Sequence, residues 1–252
     1  MHQRYGDYPS IPHFALEAFI AMTVSTDQQQ QLRPVGKFFS DFAATWDSLY
    51  DGRRSLFWRW FDRTFRNNIF RRYGLTFSAL GSNLANKRIL DIGCGSGVYC
   101  FEAASREASW VIGIDGADGM IALCRERSRR LGVEDRVHFV RCDFPPASPV
   151  AELQEKYNVA IVMGVMDYVD DPAGFLKAVH DRVSDFAVIS FPGKEGLRWR
   201  VRRWRYRLLR RCPVFFYTEP EVRAHCKTAG FRNLEVAFLP REGGCYFIKA
   251  FV

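Results

Sequence analysis

The stretch Arg88-Ile-Leu-Asp-Ile-Gly-Cys-Gly-Ser-Gly97 constrains the fold of this chain more than any other. Ile89, Leu90 and Ile92 form a short apolar run, the pattern of a buried parallel strand. Gly93, Gly95 and Gly97 then punctuate a turn into a helical pattern over Val98–Ala108. Glycines at alternate positions allow positive φ and let a ligand approach the main chain without meeting a Cβ. The following helix offers unpaired N–H groups at its start. Strand, glycine loop and helix therefore form a ligand-binding corner. A second apolar strand, Val111-Ile-Gly-Ile-Asp115, ends in a carboxylate about 20 residues on, where a doubly wound fold places an acceptor for ribose hydroxyls.

The spacing argues against a dinucleotide. That fingerprint needs G-x-G-x-x-G so that a pyrophosphate can rest on the helix, whereas this loop is Gly93-x-Gly95-x-Gly97 with Asp91 in the strand before it. A carboxylate there repels a pyrophosphate and attracts an ammonium. The third strand reads as Val137-His-Phe-Val-Arg-Cys-Asp143 and the fourth as Tyr157-Asn-Val-Ala-Ile-Val-Met-Gly164. With these residues in place, the chain from about Phe38 to Val252 resembles the class I S-adenosylmethionine (SAM)-dependent methyltransferases. The E/D-x-G-x-G-x-G motif is Asp91 to Gly97, and Asp115 and Asp143 are the acidic ends of strands two and three.

The remaining chain fits an α/β, Rossmann-like architecture of alternating strands and helices. A helix is expected from about Ala117 to Leu131 with Gly132 as its stop, a helical turn near Glu152–Lys156, and a helix from Asp171-Pro172 to about Val183. Phe186–Phe191 reads as strand five, and Thr218-Glu-Pro-Glu221 opens a helix to Ala229. Leu234–Leu239 and Cys245–Val252 are strands six and seven. The resemblance implies seven strands in the order 3-2-1-4-5-7-6, mostly parallel, with an antiparallel last strand and helices on both faces.

Three parts are expected: a mobile N-terminal tail (1–36), a helical lid or cap (37–86), and a SAM-binding domain (87–252) carrying a basic helical insertion at 194–217. The tail has linker composition, with Pro9, Pro12 and a glutamine run after Asp27. Lys37–Asp51 looks like the lid of small-molecule methyltransferases, from which Trp46 or Tyr50 would reach the cofactor; the alternative is a helix packed on the sheet edge. From Ser55 to Tyr73, Phe57, Phe61, Phe65 and Ile69 recur at helical spacing among arginines, and Leu197, Val201, Trp204 and Leu208 do so in the insertion.

These two helices carry much of a net charge of +8, from 36 basic and 28 acidic residues. They read either as solvated faces with apolar sides packed on the core or as a working surface: a cationic rim selecting an acidic small molecule, a peripheral membrane contact collecting a hydrophobic one, or a surface for RNA phosphates. An RNA role loses ground because strand four is followed neither by the N/D-P-P-[YF] signature of adenine amino-methyltransferases nor by a Pro-Cys pair. No uninterrupted apolar window reaches about 18 residues and no signal sequence is evident, so the expected location is cytoplasmic, peripheral at the membrane if the basic helices serve there. Seven cysteines include no C-x-x-C pair or zinc-type grouping, so no metal is expected and the thiols read as free and buried.

Carried over residue by residue, the resemblance implies that Asp91 holds the SAM ammonium, Asp115 the ribose hydroxyls and Asp143 the adenine amine, with Phe144 beside the ring. Gly93, Cys94, Gly95, Gly97, Gly116, Met120 and Cys142 complete the cofactor's surroundings, and Met163 and Gly164 flank the sulfonium. Asp167 and Tyr168, after strand four, are the candidate catalytic residues, with Tyr50 a further candidate through the lid. Many oxygen methyltransferases have a histidine near there and this chain has none, a departure that counts against base catalysis and leaves room for an already ionised carboxylate or an amine as acceptor. In architecture the chain also resembles magnesium-protoporphyrin and ubiquinone-pathway O-methyltransferases, although the first family's histidine–tyrosine pair is replaced around Tyr168. The expected activity is methyl transfer to a small molecule, at oxygen rather than nitrogen, with the oligomeric state left open; RNA methylation through the basic helices and a non-catalytic SAM-binding partner subunit are the alternatives.

Overall fold

The computed structural model describes residues 71–195, 199–200, 214–240 and 244–252. The expected tail, the lid up to residue 70 with Trp46 and Tyr50, and the centre of the basic insertion lie outside the described residues. In chain order the elements are β1 (Arg88–Ile92), α1 (Val98–Ser105), β2 (Trp110–Asp115), α2 (Asp118–Leu131), β3 (Val137–Arg141), a 3-10 turn (Ala151–Leu153), β4 (Tyr157–Val162), α3 (Pro172–His180), β5 (Val183–Pro192), α4 (Glu219–Thr228), β6 (Asn233–Leu239) and β7 (Cys245–Phe251).

The seven strands lie in the order β3-β2-β1-β4-β5-β7-β6. β7 runs antiparallel to β5 and to β6, and the remaining neighbours pair in parallel. Successive side chains in a strand face opposite ways, so Ile89 and Leu90 enter different cores. On one face Leu90, Ile112, Val162 and Ile189 meet Phe175, Leu176 and Val179 of α3 and Val222 and Cys226 of α4. On the other, Ile89, Val111, Val159 and Ile161 meet Cys100 and Phe101 of α1 and Ile121 and Cys124 of α2. Full burial of each such Leu, Ile or Phe contributes about 1.5–3 kcal/mol. Six described cysteines are buried and free.

Several boundaries differ from expectation. The helical stretch 71–80 continues past Tyr73 because Phe77 is buried against the second core; it closes where the Gly81 N–H donates to the Phe77 carbonyl at 3.0 Å. α1 stops at Ser105 rather than Ala108, since Glu107 takes φ +67. α3 stops at His180 because Val183 is already paired with Tyr157 in β5. β3 and β4 end at Arg141 and Val162, leaving Asp143, Met163 and Gly164 in loops just beyond their carboxyl ends. Among the described residues no helix is long and apolar enough to cross a membrane.

Candidate functional site

β1 and β4 are adjacent while the connections from them run to opposite sides, and such a switch point opens a crevice beyond the carboxyl ends of the strands. The glycine loop sits there. Gly93, Gly95 and Gly97 all adopt positive φ (+70, +52 and +75). The Gly93 and Cys94 N–H groups both donate to the Ile114 carbonyl, at 2.8 and 3.0 Å, which ties the loop to β2. Gly97, in the left-handed region, is the N-cap of α1, and no side chain caps that helix start.

Asp115 has a role that its place at a strand end does not disclose. Its Oδ2 accepts from the Gly95 N–H at 2.9 Å and its Oδ1 from the Ala117 N–H at 2.8 Å, so one carboxylate clamps the glycine loop to the start of α2. Each oxygen keeps acceptor capacity for a further donor. Burial raises its pKa, against the pull of those two N–H groups. Asp91 is buried in β1, where the Cys100 thiol donates to its Oδ2 at 3.2 Å. Burial pushes its pKa up to about 7, and the nearby Asp115 charge pushes in the same direction.

Asp143 is largely exposed, 3.6 Å from the Arg141 guanidinium, and its charge acts on Asp115. Gly116 makes its position possible, because a Cβ there would collide with Asp143 Oδ1. Because β1, β2 and β3 are neighbours, the three acids follow one another across the carboxyl edge of the sheet, and the Asp115 charge acts on Asp91 as the Asp143 charge acts on Asp115. Phe144 is half-buried, edge-on to Phe175 at 5.1 Å with the Arg182 guanidinium 5.3 Å from its ring centre. Met120 is buried in the first turns of α2.

Cys94 and Cys142 turn inward. Cys94 packs in the core below the loop, with Cys100 and Cys124 as thiol neighbours, and Cys142 packs with the opposite core. What Cys94 can offer a ligand is therefore backbone. Cys124 closes the arrangement by donating to the Gly95 carbonyl at 3.1 Å.

Beyond β4, Gly164 has φ +76 and its N–H donates to Ser190 Oγ at 2.8 Å. Asp167 is buried and its carbonyl accepts from the Phe215 N–H at 2.9 Å; Tyr168 is half-buried and its N–H donates to the Val165 carbonyl at 2.9 Å. Two contributors are absent from the sequence expectations. Ser190 is a lone hydroxyl in the apolar second half of β5, a signal that the sequence does carry. Arg72 reads in the sequence only as one arginine of a basic helix, yet its guanidinium comes within 3.9 Å of where a Gly164 Cβ would stand and its charge reaches Tyr99.

Whether a SAM molecule fits can be asked of the loop itself. A Cβ at Gly95 would meet nothing within 4 Å, so this glycine borders open space, whereas one at Gly97 would meet Phe101, Cys124 and Phe139 at 2.9–3.1 Å. An open backbone face, an uncapped helix start and a row of acceptors match a ligand bearing an ammonium, a diol and an amine. A separate cleft of about 580 Å³, lined by Arg223, Lys227, Phe231, Arg232, Asn233 and Leu234, adjoins the start of β6 at the opposite, amino-terminal edge of the sheet.

Comparison with known proteins agrees with this geometry. Residues 83–191 match a family model described as a methyltransferase domain. A ubiquinone biosynthesis O-methyltransferase of Ruegeria pomeroyi is 36% identical over 98 residues, 38% of this chain and 37% of that protein. The enzyme of the same description from Pseudomonas syringae is 26% identical over 110 residues, 44% of this chain and 45% of its own length. The chain thus spans well under two thirds of these curated relatives. Among solved structures, magnesium protoporphyrin IX methyltransferase from Synechocystis with bound SAH superposes with a TM-score of 0.65 at 18% identity, covering 85% of this chain and 95% of that one. A SAM-dependent methyltransferase from Mesorhizobium loti gives 0.56 at 19% identity, over 72% and 98%. Residues 83–191 thus match a methyltransferase domain, and the strand order and glycine corner give the chain the Rossmann-like fold of the solved methyltransferases on which it superposes.

Proposed function

We propose that this protein transfers a methyl group from SAM to a small-molecule acceptor, at a hydroxyl or carboxylate oxygen. The observation that carries the reading is the row Asp91, Asp115 and Asp143 along the carboxyl edge, with Gly95 open beside it. Asp91 receives the ammonium, Asp115 uses its remaining acceptor capacity on the ribose hydroxyls, and Asp143 accepts from the adenine amine with Phe144 flanking the ring. The Gly93–Gly97 backbone and the start of α1 run beside the methionine portion, Gly116 and Met120 border the ribose side, and Arg72 pairs with the carboxylate. Met163 and Gly164 border the sulfur.

When bound, SAM supplies an electrophilic methyl on a sulfonium. An acceptor oxygen would bond to that carbon as the carbon–sulfur bond broke, with the electron pair left on sulfur. Positive charge disperses in this step, so the protein's contribution is alignment in a water-poor site. Asp167 and Tyr168 face the acceptor, and Tyr50 adds to them if the segment 37–86 covers the cleft as a lid. A carboxylate acceptor arrives ionised and needs no base, whereas a hydroxyl gives its proton to Asp167. The O-methyltransferase descriptions of the relatives support oxygen over nitrogen.

The product's bond separates the cases. Methyl-labelled product from the purified protein should either release labelled methanol in mild alkali, as a methyl ester does, or resist alkali and strong acid as an aryl ether does. Recovery of the label as a methylamine on hydrolysis contradicts the oxygen assignment.

A further inference from the structure

The loop leaving β4 carries Asp167 and Tyr168, and a segment about 50 residues further along the chain helps to hold it. The Phe215 N–H donates to the Asp167 carbonyl at 2.9 Å. The Tyr217 hydroxyl lies 3.4 Å from both the Met166 and the Val169 carbonyls, so one proton is shared between the residues that bracket Asp167 and Tyr168. The segment is itself fixed to the end of β5: the Tyr217 N–H donates to the Pro192 carbonyl and the Lys194 N–H to the Tyr217 carbonyl, both at 2.8 Å. Tyr217 is 5% exposed, edge-on to Phe191 with ring centres 5.3 Å apart. Its ring is therefore held by packing, and its hydroxyl is the part aimed at the loop.

We propose that Tyr217 is a positioning residue for the methyl acceptor. It fixes the 166–169 loop, and through it Asp167 and Tyr168, at the distance from the bound donor that in-line transfer requires. This rests on the methyl-transfer reading above. Ser190 holds the root of the same loop through Gly164, so β5 governs both ends of the stretch that meets the acceptor. The cofactor corner makes no use of Tyr217, because the glycine loop is tied to β2 and Asp115 instead. Misplacement by about 1 Å is enough to cost a large factor in rate.

The test is Tyr217→Phe in the full chain, which keeps the ring and removes the hydroxyl. Amide exchange at residues 165–170 should quicken about tenfold while exchange at 93–97 stays unchanged. SAM affinity by calorimetry should stay within about twofold, and kcat toward the identified acceptor should fall about tenfold. Tyr217→4-aminophenylalanine, which restores an N–H donor on the same ring, should recover kcat. Unchanged exchange with unchanged kcat overturns the proposal. So does a loss of SAM affinity parallel to that of kcat, the mark of a merely structural residue. Absence of methyl transfer by the wild type counts against the proposed function alone, and the exchange measurement still decides whether Tyr217 holds the loop.

Discussion

Gly95 and Gly97 stand on either side of Ser96 with similar backbone conformations, yet a side chain at each would meet different surroundings. For Gly95→Ala the cost to folding is the left-handed conformation, about 1–2 kcal/mol. The added methyl projects into the space assigned to the ligand, so calorimetry should find SAM affinity reduced at least about tenfold. Gly97→Ala carries the same backbone cost plus overpacking against Phe101, Cys124 and Phe139, about 1–3 kcal/mol more. Its urea midpoint should therefore fall further. Equal losses of stability and affinity in both variants would contradict this division of labour.

Asp91 gives the site a pH dependence whose sign follows from its pKa of about 7. The ionised form pairs with an ammonium, so SAM affinity should rise as pH increases through about 7, and Asp91→Asn should abolish that rise while weakening binding. For folding the sign is opposite. Between the ordinary value of 3.8 and about 7 the native state keeps a proton that the unfolded chain has lost, so this residue's contribution to stability declines over that window and then levels off. The placement of Asp91 is legible in the sequence because a lone acid in an apolar strand, next to a glycine turn, is costly to bury and marks a position in need of a partner. The clamp formed by Asp115 is not legible, because it depends on where the Gly95 and Ala117 N–H groups point after folding.

Strands and helices are legible where local chemistry defines them. Gly132 ends α2 in the left-handed region at φ +62, as a glycine after a helical run should. Thr218 precedes α4, and Glu221 accepts from both its N–H (2.7 Å) and its hydroxyl (3.0 Å). Lys194 adds a contact to Glu221 at 2.8 Å, and that amine, followed by the Thr218 N–H, lowers the Glu221 pKa to about 2. The stabilising contacts of this acid persist above its ordinary range and are lost as pH falls toward 2. Thr218→Ala should cost about 1 kcal/mol in a urea titration, and no change in midpoint would show that the lysine contact alone anchors the helix start. Boundaries set by distant partners are hidden from local pattern: Val183 belongs to β5 because Tyr157 lies opposite it, a pairing that the neighbouring residues do not announce.

At the level of the molecule, the corner proposed to hold the cofactor is legible because one contiguous stretch, from Arg88 to Phe144, supplies the glycine loop and all three acids. The proposed acceptor half draws on residues far apart in sequence: the loop after β4, Ser190 and the segment ending at Tyr217. No local spacing announces such a set, and so the acceptor is defined by class only. The most direct test of methyl transfer is incubation of the purified protein and its Asp91→Asn variant with methyl-labelled SAM and extract of the source cells, followed by separation of organic-soluble, aqueous small-molecule, protein and nucleic-acid fractions. The predicted result is label in a small-molecule fraction with the wild type and strongly reduced label with the variant. Label in RNA or protein, or none in any fraction despite measurable SAM binding, would contradict it.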